Sequence, residues 1–156
     1  MGDYSVSISA FGYEKDIAEL EKLCFSEPWS ENAVKEFLKY GNNRFLIAKC
    51  EKDGSFAGYI GYTKVLDEIY IANIAVKPEH RRKGAADMLL NELEKTAKNE
   101  KITLITLEVR KSNVPAIKLY EKHGCKTVGE RKGFYSSPKE DAVLMNLEIE
   151  TPERNN

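Results

Sequence analysis

Apolar and polar residues alternate from Tyr4 to Phe11, with Tyr4, Val6, Ile8 and Ala10 on one side, which predicts a first strand. The period then lengthens: Ile17, Leu20, Leu23 and Cys24 recur at helical spacing. Ser30 is placed to cap a second helix carrying Val34, Phe37 and Leu38, with Glu31 in its first turn. Phe45 to Cys50 and Phe56 to Val65 predict two strands joined across Asp53-Gly54, a dipeptide suited to a hairpin turn. A further strand runs from Ile69 to Val76 and is ended by Pro78. After Gly84 comes a helix whose Ala86, Leu89, Leu90, Leu93 and Ala97 make one apolar stripe.

Ile102 to Val109 is rich in strand-forming residues. Ser112 or Asn113 caps the next helix, with Pro115 in its first turn and Gly124 at its C-terminal end. Strands at Lys126 to Lys132 and Ala142 to Ile149 flank a loop containing Ser136-Ser137-Pro138, and a polar tail follows from Thr151 to Asn156. This order, β-α-α-β-β-β-α-β-α-β-β, has no internal repeat and no linker rich in Pro, Gly or Ser. It predicts one α/β domain over residues 1–150 with a mixed sheet, because hairpins and crossover helices both occur.

Composition narrows the function. In 156 residues, 42% apolar and 31% charged describe a globular chain. Lys plus Arg (24) nearly balance Asp plus Glu (25), so no chain-wide basic field awaits nucleic acid and any anion site must be local. Cys24, Cys50 and Cys125 are widely spaced without C-x-x-C, and His80 and His123 are far apart; no metal site is expected, and the thiols read as reduced. The N-terminus lacks a basic, apolar leader, and no apolar run approaches the roughly 20 residues that span a bilayer. A cytoplasmic protein without membrane contact is the expectation.

The candidate chemistry begins at Arg81-Arg82-Lys83-Gly84-Ala85-Ala86, where a strand gives way to a helix. Helix N-termini present backbone N–H groups and partial positive charge, so they bind phosphate. Gly84 removes Cβ where backbone must approach a diphosphate, and Ala86 keeps the helix face slim. The same residues also suit a solvated basic turn. Neither G-x-x-x-x-G-K-[ST] nor G-x-G-x-x-G occurs, which argues against P-loop and Rossmann nucleotide sites.

The preceding strand places Ile69 and Ile71 at odd positions but Ile74 and Val76 at even ones. That parity switch suggests a bulge near Ala72-Asn73, unless Tyr70 marks a strand buried on both faces. Glu108 interrupts an apolar strand, either as a water-facing strand end or as a carboxylate in a cleft suited to general-base work. Asn113 and Tyr120 lie seven residues apart on one helix face, and the phenol is either core or a proton donor.

Taken together, these residues resemble the GNAT superfamily of N-acetyltransferases, whose cofactor loop [Q/R]-x-x-G-x-[G/A] is matched by Arg81, Gly84 and Ala86. The resemblance implies the GNAT fold: a single domain with a mixed, mostly antiparallel central sheet flanked by helices. It implies acetyl-CoA as the acetyl donor. Ile74, Ala75 and Val76 would meet the pantetheine arm, and Arg82, Lys83, Gly84, Ala85, Ala86 and Asp87 would hold the pyrophosphate. Asn113 would also contact the cofactor, Glu108 would act as base directly or through water, and Tyr120 would protonate the leaving thiolate.

Asn73-Ile-Ala-Val76, Leu107-Glu-Val-Arg110, Ser112-Asn113, Leu119-Tyr-Glu121, Pro28-Trp-Ser30 and Glu140-Asp-Ala142 resemble the members that acetylate the N-terminal alanine of a small-subunit ribosomal protein. That protein N-terminus is the partner implied, with Phe25, Trp29 and Tyr135 as acceptor-pocket candidates. No cysteine lies in these motifs, so direct transfer is favoured over an acetyl-enzyme. Lys132-Gly-Phe-Tyr135 departs from the aromatic pair expected before the last loop. A small-amine acetyltransferase and a non-catalytic acetyl-CoA-binding module are the other two readings.

Overall fold

The computed structural model describes residues 3–8 and 11–150. Within them lie β1 (Tyr4–Ile8), α1 (Glu14–Cys24), α2 (Glu31–Leu38), β2 (Asn43–Cys50), β3 (Phe56–Val65) and β4 (Glu68–Val76). A 3₁₀ turn at Pro78–His80 precedes α3 (Ala85–Asn99), and β5 (Leu104–Arg110), α4 (Val114–Lys122), β6 (Lys126–Ser136) and β7 (Lys139–Glu148) follow. Ala10 and the tail 151–156 lie outside the described residues.

The strands form one sheet in the order β1-β2-β3-β4-β5-β7-β6. Pairing is antiparallel for β1–β2, β2–β3, β5–β7 and β7–β6, and parallel for β4–β5. The chain divides into two compact units, Met1–Thr63 with Ala72–Leu93, and Lys64–Ile71 with Glu94–Asn156. Both β4 and α3 contribute a part to each.

In the first unit the hairpin turn falls where Asp53-Gly54 predicts it. Gly54 takes a φ of 73° and donates to the Cys50 carbonyl, while Asp53 Oδ1 accepts from Ser55 N and Oγ. Ser30 caps α2 by accepting from Ala33 N. The core gathers Ile17, Leu20, Val34, Phe45, Ile47, Phe56 and Tyr59, with Trp29 edge-on and Phe37 tilted against Phe45. Gly61 faces Phe45, and a Cβ there would lie 2.9 Å from the Phe45 ring.

Helix α1 departs from the expected stripe. Leu23 is exposed, and Glu21 takes the inward position beside Ile17 and Leu20. The inward spacing i, i+3, i+4, i+7 is Ile17, Leu20, Glu21, Cys24, so an acid sits where hydrophobicity alone selects Leu23. Glu21 is satisfied by three donors: Trp29 N at 2.9 Å, Asn73 Nδ2 at 3.0 Å, and the Tyr59 hydroxyl. Burial pushes its carboxyl above the usual range, and the three donors oppose this.

A carboxyl raised in this way binds protons more tightly folded than unfolded. Its contribution to stability is therefore greatest in acid and declines as pH rises through the ordinary carboxylate range towards the raised value. Glu21→Gln is expected to remove that decline, so denaturant melts should show the variant gaining on the parent from pH 4 to pH 8. Glu21→Ala strands the donors and leaves a cavity, at a cost of about 2–5 kcal/mol. A difference between the parent and Glu21→Gln that stays flat with pH would refute the linkage.

In the second unit β5 alternates cleanly, with Ile105, Leu107 and Val109 buried and Leu104, Thr106, Glu108 and Arg110 on the other face. Asn113 caps α4 by accepting from Ala116 N, and Gly124 closes it with a φ of 95°. Strands β6 and β7 run closer to their turn than the pattern predicts, which shortens the expected loop to Ser137 and Pro138.

Candidate active site

The basic loop is a tight turn feeding α3. Arg82 has a φ of 60° and Gly84 a φ of 92°. Two left-handed residues this close together turn the chain sharply into the start of the helix, an end that suits an anion. The first helical bond runs from Met88 N to the Gly84 carbonyl, so the N–H groups of Ala85, Ala86 and Asp87 precede the helical ladder. Ala85, rather than Ala86, is the buried member of the stripe with Leu89 and Leu93, and Ala86 is half-buried. Leu89, Leu90, Leu93 and Ala97 are buried as expected, so the stripe holds and gains Ala85 at its start. Arg82 and Lys83 are exposed. Arg81 instead turns back to the protein, with Nε on the Val76 carbonyl at 3.1 Å and Nη2 3.4 Å from Cys24 Sγ.

The expected parity switch in β4 does not appear in burial. Ile69, Ile71 and Ala75, all odd, are buried, while Ile74 and Val76 are half-buried. Tyr70 is exposed, so the strand is not buried on both faces either. A Cβ on Gly58 of β3 would stand 2.5 Å from the Ala75 carbonyl oxygen and 3.1 Å from Val76 Cα, so only glycine permits the close approach of β3 to the end of β4.

In the second unit Glu108 lies inside β5 opposite Leu144, with its side chain only 6% exposed. It is not a water-facing strand end. Its Oε2 accepts from the Tyr70 hydroxyl, and Arg131 Nε is 3.0 Å from Oε1. Burial, then Glu108 itself, raises the Tyr70 phenol, so Tyr70 holds its proton and acts as a donor.

Tyr120 is buried on α4, and burial, with Cys125 and Tyr135 beside it, raises its phenol as well. A phenol placed so is a proton donor, not a base. The Tyr135 phenol is close enough to interact electrostatically with Tyr70, Glu108 and Tyr120. It is held by Arg110, whose guanidinium stacks on the ring at 4.3 Å while bonding Ser137 O, Pro138 O and Glu140. Glu140 also accepts from Ser112 N at 2.7 Å, which ties the start of α4 to β7.

Phe134 and Tyr135 stack edge to face at 5.1 Å, so the segment does present an aromatic pair. Phe25 and Trp29 belong to the first unit, where both pack half-buried against its core. That packing is the role the structure gives them. Sequence reasoning missed Tyr70, Arg131, Glu21 and Gly58. Of these only Gly58, a glycine inside a strand, carried a local signal.

Residues 14–125 match the Acetyltransferase (GNAT) family. The chain belongs to the GNAT family of acetyltransferases. A Bacillus subtilis (strain 168) protein provisionally named [ribosomal protein bS18]-alanine N-acetyltransferase is 37% identical over 134 residues, which cover 85% of this chain and 87% of that protein. The enzyme of that name from Salmonella typhimurium (strain LT2) is 35% identical, covering 84% of this chain and 88% of its own. The crystal structure of the ribosomal-protein-S18-alanine N-acetyltransferase from Escherichia coli superposes with a TM-score of 0.85 at 28% identity over 94% of both chains. The GNAT fold expected from the sequence is therefore the fold observed, and the protein is an acetyl-CoA-dependent N-acetyltransferase.

Among the described residues no helix is long and apolar enough to cross a membrane, and no group of three His, Cys, Asp or Glu could hold a metal ion.

Proposed function

We propose that this GNAT enzyme acetylates the α-amine of a protein N-terminus beginning with alanine, the small-subunit ribosomal protein bS18 being its acceptor, in the cytoplasm. The reading rests chiefly on 35% identity, spread over 84% of the chain, with a protein named for that activity. The site chemistry supports it.

Acetyl-CoA, when bound, supplies the thioester carbonyl and a thiolate leaving group. The turn from Arg82 to Asp87 fits its pyrophosphate through the N-terminus of α3 and two exposed cations. Ile74, Ala75 and Val76 would meet the amides of the pantetheine arm, with Asn113 as a further cofactor contact. Glu108 takes the proton from the α-ammonium, directly or through water. An α-amine has an ordinary pKa near 8, so a modest base suffices. Tyr120 gives its proton to the departing thiolate. Phe25, Trp29 and Tyr135 remain the acceptor-contact candidates.

The thiols are poorly suited to a covalent step. Burial pushes Cys125 up to about 11 and raises Cys24 as well. Direct transfer to the amine is the route these residues favour.

A thiol-release assay tests the reading with acetyl-CoA and three acceptors: an alanine-initiated bS18 peptide, the same peptide with a blocked N-terminus, and spermidine. Turnover on the open peptide alone is expected. Turnover on spermidine alone would make the protein a small-amine acetyltransferase.

A further inference from the structure

Both oxygens of Glu108 are engaged by side chains of the second unit, and the two partners differ in kind. Tyr70 sits on β4 directly across from Thr106, two residues before Glu108 on the same face of the sheet. Its ring is short and stiff, and its hydroxyl donates to Oε2. Arg131 reaches Oε1 from β6 on a long stem and is 55% exposed. It stands at the edge of a bulge: Arg131 pairs with Ala142 and Tyr135 with Glu140, so residues 132–134 oppose Asp141 alone. Gly133 enters that bulge with a φ of 61°, and its N–H is pinned by Asp141 Oδ1. The neighbouring cation, Arg110, is committed to Ser137, Pro138, Glu140 and the Tyr135 ring.

A general base needs one oxygen open to the proton it accepts. Oε2 is closed by a donor anchored in the sheet. Oε1 is closed by an exposed, flexible guanidinium, which is a cation bearing N–H donors. An acceptor's α-ammonium is also a cation bearing N–H donors. We infer that Arg131 holds the acceptor's place on Glu108 Oε1 in the resting enzyme and is displaced by the incoming ammonium, while Tyr70 stays and fixes the carboxylate. The inference rests on Glu108 being the base.

The exchange balances. Ammonium replaces guanidinium at Oε1, one N–H proton passes to that oxygen, and the nitrogen lone pair is released for attack. Glu108 is left neutral until its proton passes to water, after which Arg131 returns. The arrangement also discriminates. A cationic amine replaces one charge with another, whereas a blocked N-terminus would leave a buried carboxylate without a cation. Tyr70 and Arg131 are positioning residues, and Arg131 sets the acceptor's charge requirement.

Steady-state kinetics on the whole protein test this, with acetyl-CoA and an alanine-initiated peptide, and with spermidine in parallel as a second ammonium acceptor. Arg131→Ala is expected to lower the acceptor KM about twofold to fivefold, the range of a partly exposed ion pair, and to leave the acetyl-CoA KM unchanged. Arg131→Lys should restore the parent value. In a Glu108→Gln background, Arg131→Ala should leave the acceptor KM where it was. An acceptor KM that is unchanged or raised in Arg131→Ala, with Glu108→Gln still crippled, overturns the placeholder role and spares the base. Full turnover in Glu108→Gln alone overturns the base, and this inference with it.

Discussion

Glu108→Gln is expected to lower kcat/KM for an alanine-initiated peptide by about 10²- to 10⁴-fold at neutral pH. The substitution keeps the side-chain shape and an oxygen for the Tyr70 hydroxyl, so the strand and Tyr70 should stay in place while Arg131 loses its ion pair. What it removes is the lone pair that takes the proton. Near pH 7 most of an α-amine is protonated, because its ordinary pKa is 7.7–8.0. A site without a base must wait for the minority that arrives neutral. Above pH 9 nearly all of it is neutral, and the deficit should shrink by about tenfold. A pH–rate profile from 6.5 to 9.5 for parent and variant checks this. Parallel profiles would remove Glu108 as the proton acceptor, whatever the drop in rate.

The second large effect concerns the donor. Gly84→Glu is expected to weaken acetyl-CoA binding more than tenfold by titration calorimetry. Two causes add. Gly84 holds a φ of 92°, and a side chain in that region costs about 1–2 kcal/mol of strain. The new carboxylate would also sit at the start of α3, where it would compete for the helix's N-terminal N–H groups and repel the pyrophosphate. Gly84→Ala separates the causes, since it carries the strain without the charge. It should weaken binding severalfold and leave kcat near the parent value. Equal affinities for parent and Gly84→Glu would show that this turn does not hold the pyrophosphate.

The parts of the fold that were legible in the sequence are those set by neighbours in the chain. Asp53-Gly54 needs only its own backbone to turn, and Ser30 and Asn113 cap through bonds to N–H groups three residues on. Gly84 announces itself because a left-handed residue at a strand-to-helix junction favours glycine. Glu108 and Tyr120 stand out as polar groups in apolar settings. Their surroundings do not, because Tyr70, 38 residues before Glu108, and Arg131, 23 after it, reach the carboxylate only through sheet pairing.

Glu21 shows the other limit. Hydrophobic periodicity assigns the inward face of α1 to Leu23, and nothing local reveals that Trp29, Tyr59 and Asn73 will bring three donors to an acid there. Strand β4 is a third case: residue parity points to a switch near Ala72-Asn73, whereas burial stays on the odd positions Ile69, Ile71 and Ala75, and the close approach of Ala75 to Gly58 is visible only once the strands pair.

Strand β6 is last in the sheet order, with β7 as its neighbour on one side. A strand in that position offers a row of backbone groups to any extended chain that meets it. Here the row is broken twice, by register shifts between Thr127 and Gly129 and between Arg131 and Tyr135. Lys126, Glu130, Arg131 and Lys132 space charges along it. The bulge that carries Arg131 to Glu108 thus also makes this border a poor template for β-aggregation, and straightening it would expose the protein to self-association as well as take Arg131 from Glu108.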